Sequence, residues 1–73
     1  MHAQDVTELA KASLLQNADP AMRNVRCEFR QGMIILRGTL HSFYHKQLAQ
    51  EAVARIEGVL RVINEIEVVS KSD

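Results

Sequence analysis

The distribution of hydrophobic and polar residues changes its period along the chain. An apolar stripe at helical spacing marks the first segment and contains Val6, Leu9, Ala10, Ser13 and Leu14. This spacing predicts an amphipathic helix over about residues 5–17. Asp5 is suited to cap its first turn, with Glu8 placed for the return bond. Asp19 followed by Pro20 predicts a further short helical turn.

A period of two follows and predicts a β-hairpin over about residues 25–40. Apolar and charged side chains alternate strictly in the run Val25-Arg26-Cys27-Glu28-Phe29-Arg30. Gly32 supplies the positive φ that a two-residue turn needs before the next strand. That strand is apolar on both faces, with Ile34, Leu36 and Leu40 on one face and Met33 and Ile35 on the other. It is therefore either a central strand or one whose outer face is covered.

A second helix is predicted over about residues 43–57 by an apolar stripe of Leu48, Ala49, Ala52, Val53 and Ile56. Gly58 stands where a left-handed C-terminal residue is wanted, and Val59 is placed for the accompanying hydrophobic contact. A last strand is predicted over about residues 61–69, followed by a polar tail at 70–73. Asn64 is inward by alternation, so its amide needs hydrogen-bond partners, which we expect in a neighbouring loop.

The order of elements predicts an α+β fold for a single domain of residues 1–73. Its economical form is an αββαβ two-layer sandwich, with both helices packed on one face of a three-stranded sheet. The pattern leaves the strand order open: the third strand beside the second gives a mixed sheet, whereas the third beside the first gives an antiparallel one. Gly38 falls on the inward face, where its missing side chain would let the second helix approach closely.

A family resemblance is carried by glycines and apolar residues between residues 19 and 69. Its segments are Val25-x-Cys27-x-Phe29, Gly32-x-Ile34-x-Leu36-x-Gly38-x-Leu40 and, after an alanine-rich helix, Gly58-Val59-x-x-Val62-x-Asn64-x-Ile66-x-Val68. Together they resemble the BON domain, a small bacterial module named for osmotic-stress and nodulation proteins. The resemblance implies the mixed sheet, and it implies a non-catalytic module that binds phospholipid surfaces or envelope partners.

Charge and hydropathy exclude several kinds of partner. Nine Lys and Arg balance nine Asp and Glu in 73 residues, so the formal net charge is zero. A neutral domain is not favoured for nucleic acid, and the Gly-x-x-Gly loop of KH domains is missing. We therefore expect no nucleic-acid partner. The longest apolar run, Met33 to Leu36, is far shorter than the roughly 18 residues of a membrane span, so no transmembrane segment is expected.

Residues suited to catalysis or metal binding lie in no recognisable arrangement. His41 and His45 have the spacing of a helical metal pair, but no third ligand is near in sequence, and zinc sites need at least three protein ligands. Cys27 is inward by alternation, which predicts a buried small hydrophobe rather than a nucleophile. We expect no enzymatic activity, no cofactor and no metal.

Two groups of side chains remain as candidate contacts. The first lies on the sheet face opposite the helices, and it consists of Met33, Ile35 and Ile63. An apolar centre with a charged surround is typical of a protein–protein interface, although scattered surface hydrophobes are the alternative. The second lies at the start of the second helix and consists of Phe43, Tyr44 and Lys46. One aromatic, with Phe43 favoured, is expected to pack on the core, and the other to face a partner or lipid headgroups.

The sequence thus predicts a binding or adaptor module that engages a protein partner, itself or a phospholipid surface. The alternative is a cytosolic structural domain that self-assembles through the exposed sheet face, and a weak homo-oligomer stays open because the neutral charge gives little self-repulsion. Residues 1–5 lack the basic-then-apolar order of a signal peptide. We therefore expect a cytoplasmic location, or the periplasm and envelope if the sequence is a mature or excised segment.

Overall fold

The computed structural model describes residues 5–17 and 19–70, and within them the helices lie on one side of a β-sheet. The helical elements are α1 (Val6–Gln16), the 3₁₀ helix η1 (Pro20–Asn24) and α2 (Phe43–Ala54). The strands are β1 (Arg26–Arg30), β2 (Met33–Arg37), β3 (Thr39–Leu40), β4 (Arg61–Asn64) and β5 (Glu67–Val68). Most of the predicted polar tail, residues 71–73, lies outside the described residues.

The sheet is mixed, which confirms the predicted α+β fold class. β1 pairs antiparallel with β2, and β4 pairs parallel with the other side of β2, so the strand order is β1-β2-β4. The alternative antiparallel sheet is wrong, because β4 does not lie beside β1. β3 and β5 form a short parallel pair that continues the register of β2 on β4.

The core lies between the helices and the sheet. All three helical elements, the strands β2 and β3, and the segment between β4 and β5 contribute to a single cluster of buried apolar side chains. Its members are Ala10, Leu14, Met22, Ile34, Leu36, Leu40, Ala49, Val53 and Ile66. Two of the helical members are alanines with no exposed surface, which lets α1 and α2 approach closely. In the described part of the chain, no element covers the opposite face of the sheet.

Gly38 interrupts the second predicted strand and separates β2 from β3. Its φ is +144°, and a Cβ there would lie 2.5 Å from the carbonyl oxygen of Asn24. The prediction that α2 approaches Gly38 closely was therefore wrong, because a different segment does so. The backbone that comes close is the end of η1 and the residue after it, Val25, because the chain crosses from η1 into β1 at this point.

Helix α2 ends at Ala54, three residues before the predicted end at residue 57. The amide of Ile56 bonds to the carbonyl oxygen of Val53 at 3.3 Å, which tightens the chain out of the α-helical pattern. Val59 then donates to Ile56 at 3.0 Å and closes a separate turn. Gly58 is the third residue of that turn with φ +100°, as a type II turn requires, and is not a helix cap.

The hairpin turn between β1 and β2 has the predicted length. Gln31 and Gly32 both adopt positive φ, at +48° and +84°, which is the geometry of a type I′ turn. This turn suits the right-handed twist of the flanking strands, and it fixes the register in which Arg30 lies opposite Met33.

Candidate binding surfaces

The uncovered face of the sheet carries the first group of predicted contact residues. Cross-strand register places Ile35 directly opposite Ile63, and Met33 lies two residues back along β2, opposite Arg61. All three apolar side chains are half-buried, so they pack on their neighbours and still reach the surface. The structure thus brings Met33, Ile35 and Ile63 together into one patch, which we call the open sheet face.

A network of ion pairs borders the open sheet face. Glu28 accepts hydrogen bonds from Nε of Arg30 at 2.7 Å and from Arg37 at 3.1 Å. Nε of Arg37 donates to Glu65 at 3.1 Å. These exposed pairs add little stability, since solvent screens them. They do hold four charged side chains in place around an apolar centre.

The same ion pairs shift the pKa values of two of these side chains. The guanidinium of Arg30, followed by that of Arg37, holds the pKa of the Glu28 carboxyl below its ordinary value. Glu65, followed by Glu28, raises the pKa of Arg37. Both effects favour the ionised forms. A partner of the open sheet face would therefore meet fixed charges of both signs.

Phe43 and Tyr44 form a second exposed surface at the start of α2. Phe43 is 74% exposed and Tyr44 is 69% exposed, so the expectation that Phe43 packs on the core was wrong. The inward stripe of α2 is carried by Ala49 and Val53, and the first helical residue points away from it. Because α2 covers the other face of the sheet, this surface and the open sheet face are separate.

Lys46 lies on the side of α2 that turns towards β4. Its side chain borders a shallow groove of about 320 Å³, together with Phe43 and Gln47. Its carbonyl oxygen accepts a hydrogen bond from Nδ2 of Asn64 at 3.0 Å. The structure therefore places Lys46 beside Phe43, as the sequence predicted. Asn64 of β4 also borders this groove.

The side-chain amide of Asn64 forms hydrogen bonds with α2 and with the segment that follows β4. Besides Lys46, its Nδ2 reaches Oε1 of Gln50 at 3.2 Å, and its Oδ1 accepts from the amide of Ile66 at 3.1 Å. The predicted inward position and backbone partners are present, but the partners belong to a helix and a strand break rather than to a loop. The Ile66 bond spans the gap between β4 and β5.

His45 links the caps of two helices. The hydroxyl oxygen of Ser42 accepts from the His45 amide at 3.1 Å, and it lies 2.9 Å from Nδ1 of the ring. Nε2 of the ring contacts the carboxylate of Asp19, which caps η1 by accepting from the amide of Ala21 at 3.0 Å. These residue types recur in hydrolases, yet here the serine oxygen already serves as a helix cap. We interpret the arrangement as a structural link.

The two histidines do not face a common ion. Nδ1 of His41 lies 3.1 Å from the carbonyl oxygen of Val69, whereas His45 engages Ser42 and Asp19. Across residues 5–17 and 19–70, His, Cys, Asp and Glu side chains form no group of three that could hold a metal ion.

Cys27 packs beneath α1 in the position that alternation predicted. Its side chain is half-buried against the core cluster, and its Sγ lies 3.9 Å from the carbonyl oxygen of Thr7. Burial raises the pKa of the thiol, which favours the protonated form over the nucleophilic thiolate.

Two surface features were missed by the sequence interpretation. Leu60 is 86% exposed beside the hairpin glycine Gly32, although its position before a strand suggested no role. Leu15, which is 63% exposed, borders a groove between α1, η1 and β1. That groove is assembled from three separate segments, so periodicity within any one segment could not reveal it.

The fold and its surfaces define a small two-layer α+β module that offers exposed faces and shallow grooves for contact. Residues 2–70 match the BON domain, so the chain belongs to the BON domain family and the resemblance noted in the sequence is confirmed. This membership points to a non-enzymatic module. No helix in the part of the chain that the structure describes is both long and apolar enough to cross a membrane.

A solved structure with the same fold comes from a bacterial secretion system. The C-terminal domain of CdsD, the structural protein of the type III secretion system of Chlamydia trachomatis, superposes with a TM-score of 0.71 at 20% sequence identity. The similarity covers 88% of this chain and 32% of that one. At this identity the likeness shows a shared fold. No curated protein sequence matches the chain.

Proposed function

We propose that the chain is a non-catalytic adaptor that binds a protein partner through the open sheet face. The observation that carries the proposal is the cross-strand pair of Ile35 and Ile63 on a face that none of the elements within residues 5–17 and 19–70 covers. Met33 extends the apolar area along β2. A contact there would remove apolar surface from water, which stabilises association by roughly 25 cal/mol per Å² buried before the costs of binding are subtracted.

The border of the open sheet face supports recognition rather than indiscriminate adhesion. Interfaces between proteins combine an apolar centre with a polar rim, and the rim contributes orientation and specificity. Arg37 and Glu28 supply charges of opposite sign on one side of the patch. A partner with complementary charges would dock in one orientation, whereas a purely apolar patch would not select among orientations.

Site-specific photo-crosslinking in cells tests this proposal. A benzophenone amino acid replaces Ile63 in one version of the protein and Ala12 in a matched control, since Ala12 is exposed on the helical layer. We expect a discrete crosslinked product at Ile63 and none at Ala12. Equal products at both positions, or none at either, would contradict the proposal. Mass spectrometry of the product identifies the partner.

Self-association through the same face is a second candidate, because an open face can pair with a second copy. Light scattering over a range of concentrations separates the two. A mass that rises towards a dimer, and falls back when Ile63 is replaced by Ser, would favour a self-assembly domain. A monomer at the highest concentration would remove this candidate and leave a different protein as the partner.

A phospholipid surface is favoured by a different observation, the exposure of Phe43 and Tyr44 next to Lys46. Aromatic side chains near a cation suit the headgroup region of a bilayer. Titration with vesicles containing phosphatidylglycerol should then shift the amide resonances of the first turn of α2. An unchanged spectrum would remove lipid binding from the proposed function.

A further inference from the structure

A groove beside β1 gathers three cations, of which Lys11 and Arg23 lie on the helical layer and Arg26 also borders the open sheet face. It has a volume of about 390 Å³ and lies where the end of α1 meets η1 and the start of β1. We call it the basic groove, and the residues that define it are Lys11, Leu14, Leu15, Met22, Arg23 and Arg26. Its floor is apolar and recessed, because Leu14 is only 2% exposed and Met22 only 1%.

The three cations of the basic groove have an acidic neighbour in Glu8, which lies one turn before Lys11 on α1 and acts electrostatically on Cys27. Lys11, Arg23 and Arg26 are exposed, and none of them forms an ion pair with a described carboxylate. Arg30 and Arg37, by contrast, are both engaged by carboxylates on the open sheet face. Since the whole chain is neutral, the groove is a local positive region, and an anionic ligand would complement it.

The first two residues of strand β1 border the groove, and the strand offers a backbone for pairing. It is an edge strand, because it pairs with β2 on one side and with no other strand among residues 5–17 and 19–70. An edge strand presents alternate N–H and C=O groups to solvent, and an extended peptide can add to it. Arg26 and Cys27 belong to β1 and also border the groove. Side chains on one face of an added strand would therefore point to the helical side, and those beside Arg26 and Cys27 would lie next to the apolar floor.

We propose that the basic groove binds an extended acidic segment of a protein partner, in which apolar residues alternate with Asp or Glu. The segment pairs with β1 as an additional strand, its apolar side chains cover Leu14 and Met22, and its carboxylates meet Lys11, Arg23 and Arg26. This inference shares with the proposed function only the premise that the chain is a binding module. Of the groove's three cations only Arg26 also borders the open sheet face, and the apolar residues of the two surfaces differ, so each proposal can fail while the other holds.

The recessed floor favours a peptide over a membrane as the occupant. A bilayer contacts side chains that project, whereas Leu14 and Met22 lie below three charged side chains. Of the groove's apolar residues, Leu15 alone projects, with 63% of its surface exposed. A flat lipid surface would meet the cations first and leave the floor empty, while single apolar side chains of a peptide can enter it.

Selection of random ten-residue peptides displayed on phage, with the purified protein as bait, tests the chemistry of the ligand. We expect enriched sequences in which Asp or Glu alternates with Val, Ile, Leu or Phe. A synthetic peptide of the most enriched sequence should shift the amide resonances of β1 and of the second half of α1. It should also slow hydrogen exchange at the free edge of β1. Raising the salt concentration should weaken binding.

Two charge reversals provide the matched comparison. Arg23→Glu places a like charge in the groove and should weaken the selected peptide at least about tenfold, since unfavourable charge pairs at an interface are costly. Arg55→Glu makes the same change in net charge on an exposed arginine after α2 and should change affinity less than about twofold. Leu15→Ser should also weaken binding without a change in melting temperature, because Leu15 is mostly exposed.

Four outcomes would overturn the inference. Enriched peptides without acidic residues would contradict the charge argument, and equal weakening by Arg23→Glu and Arg55→Glu would indicate non-specific attraction. Resonance shifts confined to the open sheet face would assign the peptide to the other surface. If no peptide family is enriched and phosphatidylglycerol vesicles shift the resonances of the groove, the occupant would be a membrane and not a peptide.

Discussion

The side-chain amide of Asn64 donates a hydrogen bond to the main-chain carbonyl of Lys46 at 3.0 Å and so links β4 to α2. Its carbonyl oxygen meanwhile accepts from Ile66, which is itself buried in the core. One side chain therefore joins α2, β4 and the break before β5. Apolar side chains could fill the same space, but they would leave the Ile66 amide without this acceptor.

Replacement of Asn64 by Leu should lower the free energy of unfolding by about 1–3 kcal/mol, the usual effect of leaving a buried polar group without its partner. Urea denaturation measures the change. Gln50→Leu is the matched control, because it removes only one of the three partners of Asn64 and should cost less than about 0.5 kcal/mol. Binding by the surviving folded fraction should be intact. Selective loss of binding at an unchanged melting temperature would show that Asn64 contacts the ligand.

Gly38→Ala should destabilise the protein by roughly 2–4 kcal/mol, which combines backbone strain with overpacking. The strain arises from φ +144°, and the overpacking arises because a Cβ would meet the carbonyl oxygen of Asn24. Gly58 also has a positive φ, but a Cβ added there would meet only a side-chain methyl of Val6 at 3.3 Å. Gly58→Ala should therefore cost only about 1–2 kcal/mol. Equal effects in thermal denaturation would mean that the Asn24 contact relaxes freely.

The Asp19 cap of η1 should make the free energy of unfolding depend on pH in the acid range. The backbone N–H of Ala21, and beyond it His45, holds the pKa of the Asp19 carboxyl below its ordinary value. A lowered pKa in the folded state means that the contribution to stability is present above the unfolded pKa, near pH 4. That contribution is lost as the pH falls through the folded value.

Asp19→Asn should therefore flatten the loss of stability between about pH 5 and pH 2, since Asn keeps the cap but carries no charge. Denaturant titrations at several pH values measure the slope. His45→Gln removes the imidazole but leaves the Ala21 N–H, which is the larger of the influences that lower the Asp19 pKa. The slope of stability against pH should therefore lie between those of the wild type and Asp19→Asn. A wild-type slope in Asp19→Asn would mean that other carboxyl groups control the acid response.

Phe43→Ser should leave stability within about 0.5 kcal/mol of wild type, because the ring is 74% exposed and is not part of the core. Leu14→Ala, which removes atoms from a fully packed position, should cost about 2–5 kcal/mol in the same assay. A large loss in Phe43→Ser would restore the original expectation that this ring packs α2 against the core.

Periodicity was sufficient to predict the two long helices, the hairpin and the inward faces, but not the breaks that divide the second and the last predicted strands. The strict alternation around Phe29 and the helical stripe around Val53 both place apolar residues where the core needs them. Alternation also predicted that Asn64 points inward. The strand order did not follow from the pattern, because parallel and antiparallel pairing of β4 bury the same residues. It came from the spacing of glycines and apolar residues shared with the BON family.

What sequence reasoning missed depends on chain segments that meet only in three dimensions. The neighbour of Gly38 is Asn24, which the pattern places in a different element. The early end of α2 follows from a local tightening at Ile56, whose apolar side chain fits a helical stripe equally well. The basic groove likewise needs α1, η1 and β1 to come together, and none of them is unusual by itself.

The parallel pairing of β4 with β2 also bears on the order in which the chain folds. The β1–β2 hairpin joins neighbours across a two-residue turn, whereas β4 can reach β2 only after α2 has been traversed, so its contacts carry a larger loop-closure entropy. Local contacts form fastest, and distant pairings complete the structure. Kinetic resistance to unfolding would then depend on β4 and Asn64, while the rate of folding would depend on the hairpin.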